Sequence, residues 1–326
     1  MITISTVIPA QLSMIMIYGL DETEKFYVEY TSCERPIGNV RQEMEQCCIR
    51  LSQEAKTRVL ISLTSGLDSQ VLLHTFHTLG LPYDCAFMYH PGYNDYEYNN
   101  IKILEKKYGF KCIIVEIDPF AIRDEIEASA FATGIPAEHH MMKKFLAQLP
   151  EDRDFCQGIE SFDFIYRGPN NRAYCMESWT AIEVASQRAL KQVERSGRIV
   201  CIDRRAPFNE FALAYLSDPV VTGYINGLEY IKGNGLVDKD TGNPPPLIFS
   251  WEYYVKPIIY GMYWGRELEI FPKYVSSEQV DFIMNPSDTR LRHNYKNKAV
   301  FIPRDELIAH LSDWGSGKTI RYTQAD

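Results

Sequence analysis

One short segment of this chain combines the residue types and spacing needed for chemistry: Leu63-Thr64-Ser65-Gly66-Leu67-Asp68-Ser69. It follows an apolar run, Arg58–Leu63, and precedes a stretch of helical character, Ser69–Leu79, that closes at Gly80. Small residues let backbone N–H groups approach an anion, a starting helix aims its positive end at the same point, and hydroxyls add donors. These are the parts of a phosphate cradle. A carboxylate inside it repels phosphate unless a divalent cation lies between them, so Asp68 calls for Mg2+. A plain turn in which Asp68 or Ser69 caps the helix has the same composition, and the segment alone supports both readings.

The elements that must position this turn are legible in the periodicity. Ile37, Val40, Met44, Cys47, Leu51 and Ala55 recur every three or four residues, which predicts a helix with one apolar face. After the turn, strands are expected at Asp84–Tyr89, Phe110–Ile117 and Asp154–Gln157. Helices are expected at Tyr96–Tyr108 (closed by Gly109), Ala121–Phe131 and His140–Leu149. Such alternation predicts an α/β fold, a parallel Rossmann-like sheet flanked by helices on both faces. Parallel sheets bind ligands at the carboxyl ends of their strands, where the cradle lies. Short strands at Ile2–Ile8, Met14–Tyr18 and Lys25–Tyr30 predict a small N-terminal β cap. From about Glu177 the pattern predicts a mainly helical C-terminal part: Trp179–Arg195, Asn209–Leu216, Trp251–Tyr263 with a kink at Pro257, Glu278–Met284 and Asp305–Leu311. Between them, Gly233–Pro246 is expected to be a loop and a candidate lid. The expected units are 1–35, 36–198 and 199–326.

Composition narrows the partners. With 326 residues and 45% hydrophobic content the chain can bury a sizeable core. A formal charge of −9 with no basic run excludes binding nucleic acid by bulk charge; only a substrate held at one site remains. The first twenty residues are uncharged, but Pro9 and Gln11 interrupt them and strand-period alternation favours a hairpin over a membrane or targeting segment. Eight scattered cysteines without CxxC or zinc spacing read as reduced thiols of a cytoplasmic protein.

Further motifs follow in order. Thr64-Ser65-Gly66-Leu67-Asp68-Ser69 stands against a hallmark SGGxDS. Gly158-Ile159-Glu160-Ser161-Phe162-Asp163, closing at Gly168, stands against GEGxDExxxGG. Asp203-Arg204-Arg205-Ala206-Pro207-Phe208 stands against ExRxPF, and Lys256 and then Phe271-Pro272-Lys273 complete the series. Over residues 58 to 275 the chain thereby resembles the PP-loop ATP pyrophosphatases, and within them the synthetase domain of class B asparagine synthetases, β-lactam synthetases and lasso-peptide cyclases. It departs from the pattern at Thr64, at Ser65, whose β-carbon narrows the dihedral and the phosphate approach, and at the glycine pair around Glu160.

The resemblance implies an adenine nucleotide alpha hydrolase-like sheet and an ATP-dependent, AMP-forming ligase. Such an enzyme adenylates a small-molecule carboxylate, releases pyrophosphate and forms an amide or related C–N bond with an amine. It assigns Leu63, Thr64, Ser65, Gly66, Asp68, Ser69, Met88 and Gly158 to ATP, and Asp68 with Asp163 to Mg2+. Glu160 matches the carboxylate that takes the proton from the attacking amine. Lys256 and Lys273 would neutralise charge on the α-phosphate and leaving pyrophosphate, an effect of roughly 3–4 kcal/mol for a well-aimed cation. About 57 residues precede the first predicted core strand and no cysteine stands at the start, so a cis-acting glutaminase domain is expected to be absent. A homodimer is left open.

Other readings use the same residues. Glu160 can pair with Arg167 or Arg205, Lys256 can be a surface lysine among tyrosines, and Asp203 can serve an ion pair. Tyr93, Asp95 and Glu97 can touch substrate or ribose, or simply form a turn and helix cap, and His139-His140 reads as a surface pair. Gly92–Glu97 also resembles the sulfate-reductase branch, which adenylates and transfers sulfur or acts on nucleotides, although no paired or tail cysteine is there to carry sulfur. A nucleotide-binding module without turnover is the third class. Gly315-Ser316-Gly317-Lys318-Thr319 mimics the end of a Walker A motif but lacks the strand and long helix that motif needs, so a mobile tail is expected there.

Overall fold

The computed structural model describes residues 18–20, 26–118, 137–160, 164–167, 170–179, 195–203, 208–232, 235–243, 256–271 and 298–323. In chain order they form β1 (Tyr18–Leu20), β2 (Phe26–Thr31), α1 (Val40–Glu54), β3 (Val59–Ser62), α2 (Leu67–Thr78), β4 (Tyr83–Tyr89), α3 (Asp95–Tyr108) and β5 (Cys112–Glu116). Then come α4 (Ala137–Ala147), β6 (Asp154–Glu160), β7 (Phe164–Arg167), β8 (Ala173–Trp179), β9 (Ile199–Asp203), α5 (Asn209–Ser217) and α6 (Pro219–Asn226). The last are β10 (Leu228–Ile231), β11 (Gly235–Asp238), α7 (Lys256–Trp264) with a 3-10 turn at Gly265–Glu267, β12 (Lys298–Pro303), α8 (Arg304–Leu311) and β13 (Thr319–Thr323).

Five strands pair in parallel in the order β5-β4-β3-β6-β9. The chain steps outward from β3 through β4 to β5, then returns to the other side of β3 with β6 and β9. The direction of winding therefore reverses between β3 and β6. Alternation along the strands covers both faces: Val59, Ile61, Cys85, Phe87 and Cys156 face one core with α1, α2 and α3. Leu60, Ala86 and Phe155 face the other with Phe145, Leu146 and Leu149 from α4 and its end. Burial of each such aliphatic or aromatic side chain contributes about 1.5–3 kcal/mol.

The helices follow their local signals. Asn39 and Gln42 form a capping box at the start of α1, whose Val40, Met44, Cys47, Cys48 and Leu51 are buried. Gly109 ends α3 at φ 69, a left-handed cap that favours glycine. The kink expected at Pro257 falls at the edge of the described residues, which resume at Lys256 in α7. Cys33, Cys47, Cys48, Cys85, Cys112, Cys156 and Cys175 are buried.

Several expectations for the C-terminal part are corrected. Among the described residues it holds five strands beside its helices. β9 completes the parallel sheet, β12 pairs antiparallel with β8, and β8 with β7. The expected loop at Gly233–Pro246 contains β11, paired with β10 in a hairpin. The expected mobile tail is strand β13, antiparallel to β2, so the last described strand shares one sheet with β1 and β2. Lys318 there donates to Asp313 at 2.7 Å, and Ser32 N–H to the Lys318 carbonyl at 2.9 Å. In each case the partner strand is remote or short, and local periodicity carries no record of it. The strand expected at Asp154–Gln157 continues to Glu160. Expected elements at Ile2–Ile8, Ala121–Phe131 and Glu278–Met284, and nearly all of the helix at Trp179–Arg195, lie outside the described residues. Among the described residues no helix is long and apolar enough to cross a membrane.

Candidate functional site

The carboxyl ends of β3 and β6 flank the point where the sheet's winding reverses, the position at which open parallel sheets leave a crevice for ligands. Ile61 pairs with Cys156, so the cradle follows a strand that lies beside β6, and β6 itself bulges between Gln157 and Ile159 in its pairing with β9. Glu160 pairs with Asp203 at the ends of β6 and β9. The cradle and the second motif thus belong to adjacent strand ends.

Within the cradle, Leu63 is buried and its N–H donates to the Ala86 carbonyl at 2.8 Å, which fixes where the loop leaves the sheet. Ser69 Oγ accepts the Thr64 N–H at 3.0 Å and donates to the Thr64 carbonyl at 2.8 Å. Thr64 Oγ1 accepts the Gly66 N–H at 3.1 Å. Both hydroxyls and two of the loop's N–H groups are therefore engaged within the loop. The remaining capacity lies in the first turn of α2, whose N–H groups have no intrahelical acceptor. Their N-cap is Gly66, which offers no side chain to cap them. Ser65 does not adopt the left-handed backbone, which among the described non-glycine residues occurs at Asn171. Its β-carbon thus imposes no dihedral strain, and its hydroxyl donates to Glu97 Oε1 at 3.2 Å.

Two connections bring α7 and the residues after it onto the same turn. Tyr260, buried, donates its hydroxyl to Asp68 Oδ1 at 2.6 Å. Gln70, fully buried two positions further along α2, donates to the Ser65 and Glu269 carbonyls, both at 2.9 Å, and accepts the Glu269 N–H at 2.8 Å. Local sequence holds a hint of the second: an amide among Val71, Leu72 and Leu73 in an otherwise buried helix must find partners. Tyr260→Phe is expected to lower stability by about 1–3 kcal/mol, because a hydrogen bond to a charged acceptor is lost from a buried position. Urea denaturation measures this; an unchanged midpoint would show the bond to be idle.

At the end of β4, Met88 is half-buried and its carbonyl accepts from the Asn94 amide at 2.9 Å. Asp95 accepts from Tyr89 Oη at 2.6 Å and from Gly92 N–H at 3.1 Å, which lowers its pKa and raises that of Tyr89 to about 12. Asp95 thus belongs to the turn, while Glu97, one turn into α3, reaches the cradle. His90 Nδ1 donates to the Ile117 carbonyl at 2.7 Å, and burial lowers its pKa. Burial also lowers that of His74, whose Nε2 lies 2.9 Å from Glu267 Oε2 but makes no aligned hydrogen bond. A histidine held neutral by the fold contributes stability above its unfolded value of 6.5, and that contribution is lost as pH falls below 6.5 toward the lowered folded values. Thermal melting should therefore fall between about pH 7 and 5, with a shallower fall in His90→Gln. Equal profiles for the two proteins would count against it.

Of the residues singled out in the sequence, Leu63, Thr64, Ser65, Gly66, Asp68 and Ser69 form one turn after β3, Gly158 lies on β6 and Met88 on β4, the two strands that flank β3. The backbone of Glu160 ends β6. Lys256 opens α7, four positions before Tyr260. Asp163 and Lys273 lie outside the described residues. Among the described residues no group of three or more His, Cys, Asp or Glu is arranged to hold a metal ion. Tyr260 and Gln70 join the site as contacts that were not assigned to it from the sequence, while Glu97, singled out there as able to touch substrate or ribose, meets the cradle at Ser65.

The fold is a mixed α/β one, Rossmann-like, with a five-stranded all-parallel sheet flanked by helices. No protein-family model matches the chain, and no curated protein matches its sequence.

Proposed function

We propose that the protein is an ATP-dependent, AMP-forming ligase that adenylates a carboxylate and joins it to an amine. The observation that carries this reading is the Thr64–Ser69 turn, with Asp68 in it, at the reversal point of the sheet where β3 pairs with β6. The triphosphate lies against the first turn of α2, with Leu63, Met88 and Gly158 around the adenosine half. A carboxylate is a poor acylating agent because its leaving group would be an oxide; transfer to the α-phosphate converts that leaving group into AMP. Glu160 takes the proton from the amine as it attacks, and Lys256 and Lys273 neutralise the phosphates.

Asp68 fits a role toward Mg2+. It offers the hard carboxylate oxygen this ion takes, the Tyr260 hydroxyl holds it in place, and Mg2+ needs only one or two carboxylates beside substrate phosphates. Asp163 is proposed as its second protein ligand. The ion would supply charge neutralisation along the phosphates.

Incubation with α-labelled ATP, Mg2+ and panels of carboxylates and amines tests the reading. Labelled AMP with pyrophosphate supports it, whereas labelled ADP would overturn it. The engagement of the Thr64 and Ser69 hydroxyls within the loop favours a second reading, a nucleotide-binding module without turnover. Tight ATP binding with no labelled product across the panel would select that module.

A further inference from the structure

The residues that follow α7 run across the outside of α2 and α3 and are held from three helices. Lys107 Nζ donates to the Glu267 carbonyl at 2.6 Å and to Glu269 Oε1 at 2.8 Å. Tyr108 donates to the same Glu267 carbonyl at 3.1 Å, and Arg41 of α1 pairs with the Glu267 carboxylate at 3.2 Å. Most of these contacts fix the strap to the protein surface. The Gln70 amide is different, because it bonds the strap and the cradle at once.

Its one side chain spans the Ser65 carbonyl on one side and both the N–H and carbonyl of Glu269 on the other. It is 0% exposed, so these bonds have no competing water. A change in the Ser65 peptide, which lies in the turn that would meet the phosphates, is therefore felt at Glu269. Four residues beyond Glu269 stands Lys273, and α7, which begins at Lys256, is tied to the same turn through Tyr260 and Asp68. The unit from 256 to 269 thus docks on α2 at two points, Asp68 and Gln70.

We propose that Gln70 is a positioning residue that couples occupancy of the cradle to the 267–271 strap. This rests on the reading of the cradle as an ATP site. Amide hydrogen exchange with and without saturating MgATP tests it. In the unaltered protein, MgATP is expected to slow exchange across 63–70 and, about tenfold, across 267–271. In Gln70→Met, similar in size but unable to form the three bonds, the response at 267–271 should disappear while that at 63–70 persists. In turnover this variant should lose about tenfold in kcat with little change in KM for MgATP, a split that a merely destabilised fold would not produce.

Protection at 63–70 with none at 267–271 in the unaltered protein overturns the coupling, and that measurement does not depend on the variant folding. Persistence of the strap response in Gln70→Met overturns it equally. Absence of any MgATP effect at 63–70 would instead remove the ATP reading itself.

Discussion

Asp68→Ala is expected to abolish AMP formation, by at least about a thousandfold, while the sheet stays folded. About 4 kcal/mol of transition-state stabilisation corresponds to that factor, and charge neutralisation along a triphosphate is of this order. The alanine variant also strips the buried Tyr260 hydroxyl of its acceptor, so it mixes loss of charge with loss of a hydrogen bond. Asp68→Asn separates the two. Its amide oxygen can still accept from Tyr260, but it carries no charge to place beside a cation. Stability close to the unaltered protein together with loss of AMP release in Asp68→Asn would tie the effect to the charge. Unchanged turnover in either variant would sink the assignment of this turn.

The second large effect is on stability and comes from the opposite end of the sheet. Asp154 opens β6 at 3% exposure, and its carboxylate accepts the Arg198 N–H at 2.8 Å and Arg198 Nε at 2.7 Å. Arg198 Nη1 reaches Glu54 at the end of α1, at 2.8 Å. One guanidinium therefore holds β6, β9 and α1 together at the amino ends of the strands. Burying a pair of charges costs nearly what their attraction returns, but removing one partner leaves the other buried without compensation. Arg198→Ala should lower stability by about 3 kcal/mol, less than the deepest cases because the guanidinium retains some contact with water. Urea denaturation measures it, and a loss below about 0.5 kcal/mol would show that the pair is screened. Because the pair lies at the end of the sheet away from the cradle, MgATP affinity in the folded variant should be unchanged.

These two effects differ in how far they could be foreseen. Asp68 stands in a six-residue pattern whose parts act on one another locally: strand end, small residues, helix start. Its candidacy needed no tertiary information. Asp154 and Arg198 are ordinary charged residues in sequence; only the pairing of β6 with β9 makes them neighbours. The same holds for Gly197. A β-carbon there would meet the Arg153 carbonyl oxygen at 1.9 Å, so the glycine answers to a close approach of another strand end and not to a turn of its own. The helices α1, α2 and α3 and the strands β3, β4 and β5 were legible because each buries a face set by its own periodicity. Strands β11, β12 and β13 were not, being short segments whose hydrogen bonds go to partners elsewhere.

The sequence by itself determined the alternating α/β character, the place of the cradle after the first core strand, and the carboxylate in it. Those properties arise from contacts between residues a few positions apart. Tertiary structure decided the strand order that puts β6 beside β3, the burial of Gln70, and the meeting of Asp68 with Tyr260 and of Gln70 with Glu269, across 192 and 199 positions of chain. Such contacts are chosen by the packing of whole elements against a shared core. A buried polar group then takes whichever partner that packing brings within reach, since leaving it unpaired would cost about 1–3 kcal/mol.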